Sequence, residues 1–130
     1  MFKTKSIRTN IDPAADGLRI LATRFRGRGL CKSRYDVWMA NLGPSERLLR
    51  AFRTGQISWP AFSTAYRAEM FKLDGQDQDN RVSCNCGQKF TLRLLQHLAQ
   101  ERTITLLCHC AEEETACHRH LLRRLLERRI

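Results

Sequence analysis

The sequence predicts an α/β fold, with a small parallel or mixed sheet covered by helices in a single domain over residues 1–130. Two short runs rich in leucine and β-branched residues, 18–23 and 103–108, are typical of buried strands. Apolar residues spaced three and four apart between and after these runs are typical of amphipathic helices. Strands connected through helices favour parallel pairing, and 130 residues is an ordinary length for one domain.

The first part of the chain is predicted to contribute two strands. Residues 6–11 are predicted as a short strand, followed by a turn that begins at Asp12-Pro13 and ends at Asp16-Gly17. Residues 18–23 are predicted as a buried strand because four of these six residues are apolar and the segment is compatible with a strand. That strand runs into segment 24–29, where two glycines between arginines indicate a loop.

The middle of the chain is predicted to form three helices. Residues 35–41 are predicted as a short helix that Gly43-Pro44 ends. Ser45 stands at the N-cap position of a second helix, which Gly55 ends. In the third helix, residues spaced by three, four and four positions form one apolar face: Trp59, Phe62, Tyr66 and Met70.

The last part of the chain is predicted to form a linker, a helix, a strand and a final helix. Segment 74–80 is polar and acidic, which is typical of a linker. The helix is predicted to end near Arg102, and its apolar positions are Phe90, Leu94 or Leu95, and Leu98. After the strand at 103–108, a helix over 117–129 is predicted to direct four leucines to the core: Leu121, Leu122, Leu125 and Leu126.

The charge of the chain indicates an anionic partner. Lys and Arg number 23 against 13 Asp and Glu, which gives a formal net charge of +10. Such an excess attracts polyanions, so we expect nucleic acid or a phosphate-bearing small molecule as partner. No run approaches the ~18 uncharged apolar residues of a membrane span, and no hydrophobic stretch follows the first residues as in a signal peptide. We therefore expect no membrane association and a cytoplasmic location, where cysteines stay reduced.

A basic loop is the predicted anion-binding element. Arginines alternate with other residues in segment 24–29, so an extended backbone would place them on one side. Glycines between them allow the backbone to approach an anion closely. Arginine forks suit phosphate and carboxylate, although a surface loop paired with acidic segments is an alternative. The predicted anion-binding residues are Arg24, Arg26, Arg28, Lys32 and Arg119.

Six cysteines, five of them in two clusters with nearby histidines, suggest a zinc site. The candidate ligands, which need not all act together, are Cys84, Cys86, Cys108, Cys110, Cys117 and His118. Two Cys-x-Cys pairs could meet in a four-thiolate site, or the C-terminal ligands could form a site alone. Alternation along a strand opposes joint binding by Cys108 and Cys110 unless the strand ends at Cys108. Buried structural cysteines are the alternative to a metal site.

Thiol catalysis is a further hypothesis. Cys117 precedes a predicted helix, where the dipole and free amide groups stabilise a thiolate, and Cys108 stands at a strand-to-loop edge. The candidate catalytic residues are Cys108, Cys117 and His118, with His118 as base or metal ligand. The spacing of a phosphatase loop is absent, because Glu114 and Ala116 stand six residues after Cys108 and Cys110. A zinc site that only stabilises loops is a third possibility.

An ordered series of motifs resembles the YeaO-like family, catalogued as domain of unknown function 488. The series is Arg24, Arg28-Gly29-Leu30, Lys32, Asp36-x-Trp38, Leu42-Gly43-Pro44-Ser45, Trp59-x-x-Phe62-x-x-x-Tyr66-x-x-Glu69, Thr105-Leu106-Leu107-Cys108 and Cys117-His118-Arg119. The resemblance extends from about Ile7 to Leu126. It implies a small cytosolic α/β domain and no established reaction.

The resemblance also marks recurrent polar positions and departures from them. The positions carried onto this chain are Arg24, Arg28, Lys32, Asp36, Tyr66, Cys108, Cys117, His118 and Arg119. Arg26 and Gly27 replace an aromatic residue and a proline, which makes the loop more basic and more flexible. Cys84, Cys86 and Cys110 look like additions in this member, so a metal site built on them need not be a family property.

Overall fold

The computed structural model describes residues 1–73 and 86–130. Four strands form one sheet: β1 (Phe2–Ser6), β2 (Leu18–Leu21), β3 (Val37–Trp38) and β4 (Ile104–Cys108). The α-helices in the described residues are α1 (Pro13–Asp16), α2 (Glu46–Arg53), α3 (Trp59–Phe71), α4 (Lys89–Ala99) and α5 (His118–Leu126). No helix in these two segments has the length and apolar character needed to cross a bilayer.

The sheet is parallel throughout and has the order β1-β4-β2-β3. The predicted α/β fold is therefore confirmed, and of the two predicted kinds of sheet the parallel one is present. Strand β4 comes last in the chain but lies between β1 and β2, where Ile104 is in register with both Phe2 and Leu18. The carboxyl ends of these three strands meet at one edge, which is where open α/β sheets bind ligands.

Both faces of the central strands are buried, which explains their almost continuous apolar sequence. Ile20 and Leu106 belong to the main core, together with the buried leucines of α5 and the apolar face of α3. The next residues along each strand, Leu21 and Leu107, point to the opposite face because side chains alternate along a strand. There they form a smaller cluster with Ile7.

Asp16 and Gly17 fix the short helix α1 beneath the sheet. The buried Asp16 carboxylate accepts hydrogen bonds from Lys5 Nζ at 2.7 Å and from the Asp12 amide at 2.9 Å. Gly17 has φ +61°, and a Cβ there would lie 2.1 Å from the carbonyl oxygen of Thr103. Only glycine allows this approach, because any side chain would collide with the backbone before β4.

Helices α2, α3 and α5 confirm the predictions made from caps and apolar spacing. The Ser45 side chain accepts a hydrogen bond from the Leu48 amide and caps α2, as predicted. Phe62, Tyr66 and Met70 are all buried on one face of α3. The four predicted leucines of α5 are buried as well: Leu121, Leu122, Leu125 and Leu126.

Two segments in the first half of the chain have a different structure from the one predicted. The strand predicted at 6–11 is wrong, because β1 occupies Phe2–Ser6 and a turn follows it. The helix predicted at 35–41 is also wrong, because this segment contains the edge strand β3 and part of a 3₁₀ turn. The amide of Met39 donates to the carbonyl of Leu21, so pairing with β2 overrides the local pattern.

The predicted apolar face of α4 is only partly correct. Leu92 and Leu95 are buried, whereas Phe90 is 42% exposed and Leu94 is 59% exposed. A single helix with five apolar positions leaves its rotation undecided, and packing against α5 selects the Leu92 side. The linker predicted at 74–80 lies outside the described residues.

Candidate functional site

Three cysteines meet at the carboxyl edge of the sheet. Cys108 is the last residue of β4, Cys110 follows in the loop, and Cys117 is the N-cap residue of α5. Their sulfur atoms all lie within 4.8 Å of one another, and the Sγ atoms of Cys108 and Cys117 are 3.0 Å apart. Because β4 ends at Cys108, strand alternation does not separate Cys108 from Cys110. We call these three residues the thiol cluster.

Arg119 supports the thiol cluster from the first turn of α5. Its side chain is fully buried, and Nη1 donates to Cys108 Sγ at 3.0 Å. Nη2 donates to the main-chain carbonyls of Ala111 at 3.0 Å and Glu112 at 2.9 Å. The guanidinium thus joins β4 to the loop that carries Cys110. A buried cation requires a nearby negative charge, and the Glu112 carboxylate, 3.6 Å from Nη2, supplies one.

The thiol cluster stabilises one thiolate at the expense of the other two thiols. The hydrogen bond with Cys108, together with that from Cys117, lowers the pKa of Cys110. The hydrogen bond with Cys110 in turn raises the pKa of Cys108. The hydrogen bond with Cys108 raises the pKa of Cys117. Of the three thiols, the partly buried Cys110 is therefore the one whose ionisation the cluster favours.

His118 is buried beside the thiol cluster but binds the main chain. Its Nε2 atom forms a short hydrogen bond with the carbonyl oxygen of Ala22 at the end of β2. Burial lowers the pKa of His118, which keeps the imidazole neutral, so Nε2 donates its hydrogen to this carbonyl. The ring also packs edge-on against Tyr66, with centroids 5.8 Å apart. The contact with Ala22 leaves His118 Nε2 unable to bind a metal.

A small cavity of about 60 Å³ opens beside the thiol cluster. It is lined by Thr23, Arg24, Phe25, Pro44, Leu49, Arg53, Cys108, His109, Cys110 and His118. Two of the three cluster residues, Cys108 and Cys110, therefore line a space large enough for a few atoms of a bound molecule. His109, which sequence reasoning did not single out, forms part of this wall, and its position directly after the strand that bears Cys108 is the signal for it.

Glu112 holds the cysteine-bearing loop in place. Its carboxylate accepts hydrogen bonds from the Ser6 amide and from Thr9 Oγ1, each at 3.0 Å. It also lies 3.6 Å from Arg119 Nη2. Glu112, the first of three consecutive glutamates between Cys110 and Cys117, therefore connects this loop to the end of β1 by hydrogen bonds. The sequence pattern does not reveal this connection, because it joins residues more than 100 positions apart.

The predicted anion-binding residues have different surroundings. Arg24 donates to the carbonyls of Gly43 and Pro44, and Arg26 donates to the Tyr35 hydroxyl and the Leu30 carbonyl. Like Arg119, these two arginines are occupied by groups of the protein itself. Arg28 and Lys32 are exposed, and within the described residues neither has a hydrogen-bond or ion-pair partner. Of the five predicted anion-binding residues, Arg28 and Lys32 are therefore the two whose side chains are not engaged by other groups of the described structure.

Of the second predicted cysteine pair, the described structure contains Cys86, which is not part of the thiol cluster. Cys84 lies outside the described residues. Cys86 is partly buried with φ 51°, and the next residue, Gly87, packs against carbonyls at the end of α3. Among the described residues, the group that could hold a metal ion consists of Cys108, Cys110 and Cys117.

The fold and the site together define a class of protein: an α/β domain with a thiol cluster at the ligand-binding edge of a parallel sheet. A family model described as "Active DUF488-N3 subclade" (DUF488-N3a) matches residues 2–130. The chain therefore belongs to the DUF488 family, which confirms the resemblance seen in the sequence. No curated protein and no solved structure matches the chain.

Proposed function

We propose that the protein is a zinc-binding domain that uses the thiol cluster as a three-ligand metal site. The observation that supports this function best is the grouping of three sulfurs within 4.8 Å at the carboxyl edge of the sheet. Thiolates bind zinc at about 2.3 Å, which separates two sulfurs of a tetrahedral site by about 3.8 Å. The cluster needs only small side-chain shifts to reach that spacing.

The surroundings of the cluster favour an open fourth coordination position. His118 Nε2 contacts Ala22, and His109 Nε2 lies 3.1 Å from the carbonyl oxygen of Phe25. Three protein ligands with one open position are typical of catalytic zinc, whereas structural zinc has four. The open position would face the small cavity beside Cys108 and Cys110. We therefore favour metal-assisted chemistry, with a zinc site that only stabilises the loops as the alternative.

Arg119 suits a metal–thiolate centre. Three thiolates and one zinc ion carry a net charge of −1, and the buried guanidinium offsets it. The N–H of Arg119 that reaches Cys108 Sγ is the kind of outer hydrogen bond that orients a metal ligand. A reactive thiolate at Cys110 without any metal would use the same hydrogen bonds, and this is the thiol-enzyme alternative.

Changing Cys110 to serine should abolish zinc binding. Protein purified under reducing conditions should hold about one zinc per chain, and the variant about a tenth of that, because two thiolates and a hydroxyl bind zinc far more weakly. Cys31→Ser is the matched control, since Cys31 is exposed and lies outside the cluster. Elemental mass spectrometry measures the ratio. A metal-free wild-type protein, or equal loss in both variants, would contradict the proposal.

Cobalt distinguishes a catalytic site from a structural one. Cobalt-substituted protein should show strong thiolate-to-metal charge-transfer absorption. Its visible bands should then shift when a small anion such as azide is added, because azide would enter the open position. A spectrum with thiolate bands that azide leaves unchanged would support the structural alternative.

A second candidate function is binding of a phosphate-bearing partner at the same edge of the sheet. It is favoured by the net charge of +10 and by Arg28 and Lys32, whose side chains are exposed in the basic loop. A labelled oligonucleotide should bind with an affinity that falls steeply between about 50 and 200 mM salt, because each neutralised phosphate releases counterions. Fluorescence anisotropy measures this slope. Absence of oligonucleotide binding at low salt would reject nucleic acid as the phosphate-bearing partner.

A further inference from the structure

A broad cleft of about 660 Å³ lies at the carboxyl edge of the sheet, next to the small cavity. It is lined by Ile7, Arg8, Gly27, Arg28, Gly29, Leu30, Cys31, Arg34 and His109. This basic cleft combines the end of β1, the predicted anion-binding loop and the residue after β4. Sequence reasoning did not identify Arg8 as part of it, because Arg8 comes from a separate segment of the chain.

Three arginines give the basic cleft its chemistry. The side chains of Arg8 and Arg28 are exposed and, within the described residues, have no hydrogen-bond or ion-pair partner. Arg34 is fixed by hydrogen bonds to the carbonyls of Ile7 and Thr9, the shortest of them 2.6 Å. Among the described residues, no acidic one lines the cleft. Like charges gathered in one concavity repel one another until an anion enters, so the cleft is complementary to a polyvalent anion.

The backbone of the basic cleft also suits a large anion. Gly29 has φ +71°, and a Cβ at this position would meet no heavy atom within 4 Å, so its outer side is open. Gly27 packs against the His109 ring, where a Cβ would lie 2.9 Å from Cε1. This contact brings the basic loop against the residue that follows β4. The basic loop therefore packs against His109 at Gly27 and leaves its backbone accessible at Gly29.

We infer that the basic cleft binds a phosphate ester of about nucleotide size, with the phosphate held by the side chains of Arg8 and Arg28 and by Nη1 of Arg34, the guanidinium nitrogen that the carbonyls of the described residues do not use. This inference rests on the second candidate function and assigns it a specific site and substrate class. Guanidinium groups bind phosphate oxygens in pairs, and three of them match a phosphate better than a single carboxylate. A cleft of this volume is in the range of small-molecule sites.

The basic cleft is continuous with the site that carries the thiol cluster. His109 lines both the cleft and the small cavity, and Cys110 lines the cavity on the same loop. A ligand anchored by its phosphate in the cleft would extend past His109 toward the cluster. The cleft thus provides a binding subsite for a phosphorylated substrate of the proposed metal centre.

Cys31 provides a direct test because it lies in the basic cleft and is exposed. Hydrogen bonding with Ser33, together with the charges of Arg26 and Arg34, lowers the pKa of Cys31, which favours the thiolate form that iodoacetamide alkylates. A phosphate ester in the cleft should slow alkylation of Cys31 at least about fivefold. Alkylation of Cys86, outside the cleft, should not change. Peptide mass spectrometry measures both rates with AMP or a single-stranded oligonucleotide as probe.

Variants complete the test. Arg8→Gln and Arg28→Gln should each weaken binding of the protective probe about tenfold, because each removes a charged phosphate contact. Arg67→Gln is the matched control, since Arg67 is exposed on α3 and does not line the cleft. Protection by AMP identifies a free nucleotide as the source of the phosphate ester. Protection by the oligonucleotide alone identifies a nucleic-acid strand.

Two results would overturn the inference in different ways. Salt-dependent oligonucleotide binding without protection of Cys31, and with equal effects of Arg8→Gln and Arg67→Gln, would reject the basic cleft as the site. The second candidate function would then stand as binding by the general positive surface. If neither AMP nor the oligonucleotide binds, both the inference and the second candidate function are rejected.

Discussion

Replacement of Arg119 by methionine should lower the free energy of unfolding by about 3–5 kcal/mol, the loss typical of a buried charge pair that has lost one partner. The guanidinium is fully buried and donates to Cys108 Sγ and to the carbonyls of Cys110, Ala111 and Glu112. Methionine fills a similar length but donates no hydrogen bond, so the carbonyls and Cys108 Sγ lose their donor. Urea unfolding followed by circular dichroism under reducing conditions measures the loss.

A lysine variant separates the planar geometry of the Arg119 guanidinium from its charge, and a variant of a surface arginine on α5 is the control. Arg119→Lys should recover only part of the stability, because an ammonium group cannot reproduce the planar fork. Arg123→Met, one turn along α5, should change the stability by less than about 0.5 kcal/mol, since Arg123 is 44% exposed and pairs with Glu127 at the surface. A loss below about 1 kcal/mol for Arg119→Met would contradict a structural role and favour the anion-binding role predicted from the sequence.

Replacement of Asp16 by asparagine should lower the free energy of unfolding by about 2–3 kcal/mol at pH 7. The Asp16 carboxylate is 2% exposed and is the shared partner of Lys3 and Lys5, whose side chains are 32% and 16% exposed. Asparagine keeps the shape but removes the negative charge, which leaves two lysines without a counter-charge beside the sheet. Asp36→Asn is the matched control, with a smaller loss, because Asp36 is 39% exposed in its pair with Arg19.

The loss caused by Asp16→Asn should depend on pH. Burial alone would raise the pKa of Asp16, but hydrogen bonds from Lys5 and the Asp12 amide outweigh it and hold the pKa below 3.8. A carboxylate with a lowered pKa in the folded state stabilises the protein above its unfolded pKa, and this contribution is lost as the pH falls through the folded pKa. The difference between the wild-type protein and Asp16→Asn should therefore be constant from pH 7 to about 5 and narrow below about pH 4. A difference that is unchanged in acid would contradict this account.

The elements that the sequence predicted well are those fixed by local signals. Ser45 caps α2, and the apolar spacing of α3 and α5 selects the faces that are buried, because helix periodicity and capping depend on neighbouring residues. The runs at 18–23 and 103–108 became β2 and β4 because strands buried on both faces require nearly continuous apolar sequence.

The incorrect predictions concern segments whose structure depends on distant residues. Segment 35–41 contains the edge strand β3 because it pairs with β2. The local sequence pattern of this segment does not indicate that pairing. The rotation of α4 follows from its packing on α5, which leaves Phe90 and Leu94 exposed. Local propensity is a weak constraint in both cases, and tertiary contacts override it.

The sequence by itself determined the α/β class, the family, and the residue types available for chemistry: thiols after the last strand and an excess of arginine. The tertiary structure alone decided which of them act together. The loop between β4 and α5 turns back so that Cys108, Cys110 and Cys117 meet, and the first turn of α5 directs Arg119 onto Cys108. The tertiary structure also commits Arg24 and Arg26 to carbonyls while leaving Arg28 beside Arg8 in the basic cleft. Spacing along a chain specifies local geometry, whereas a binding site is formed by segments that only the packed sheet brings into contact.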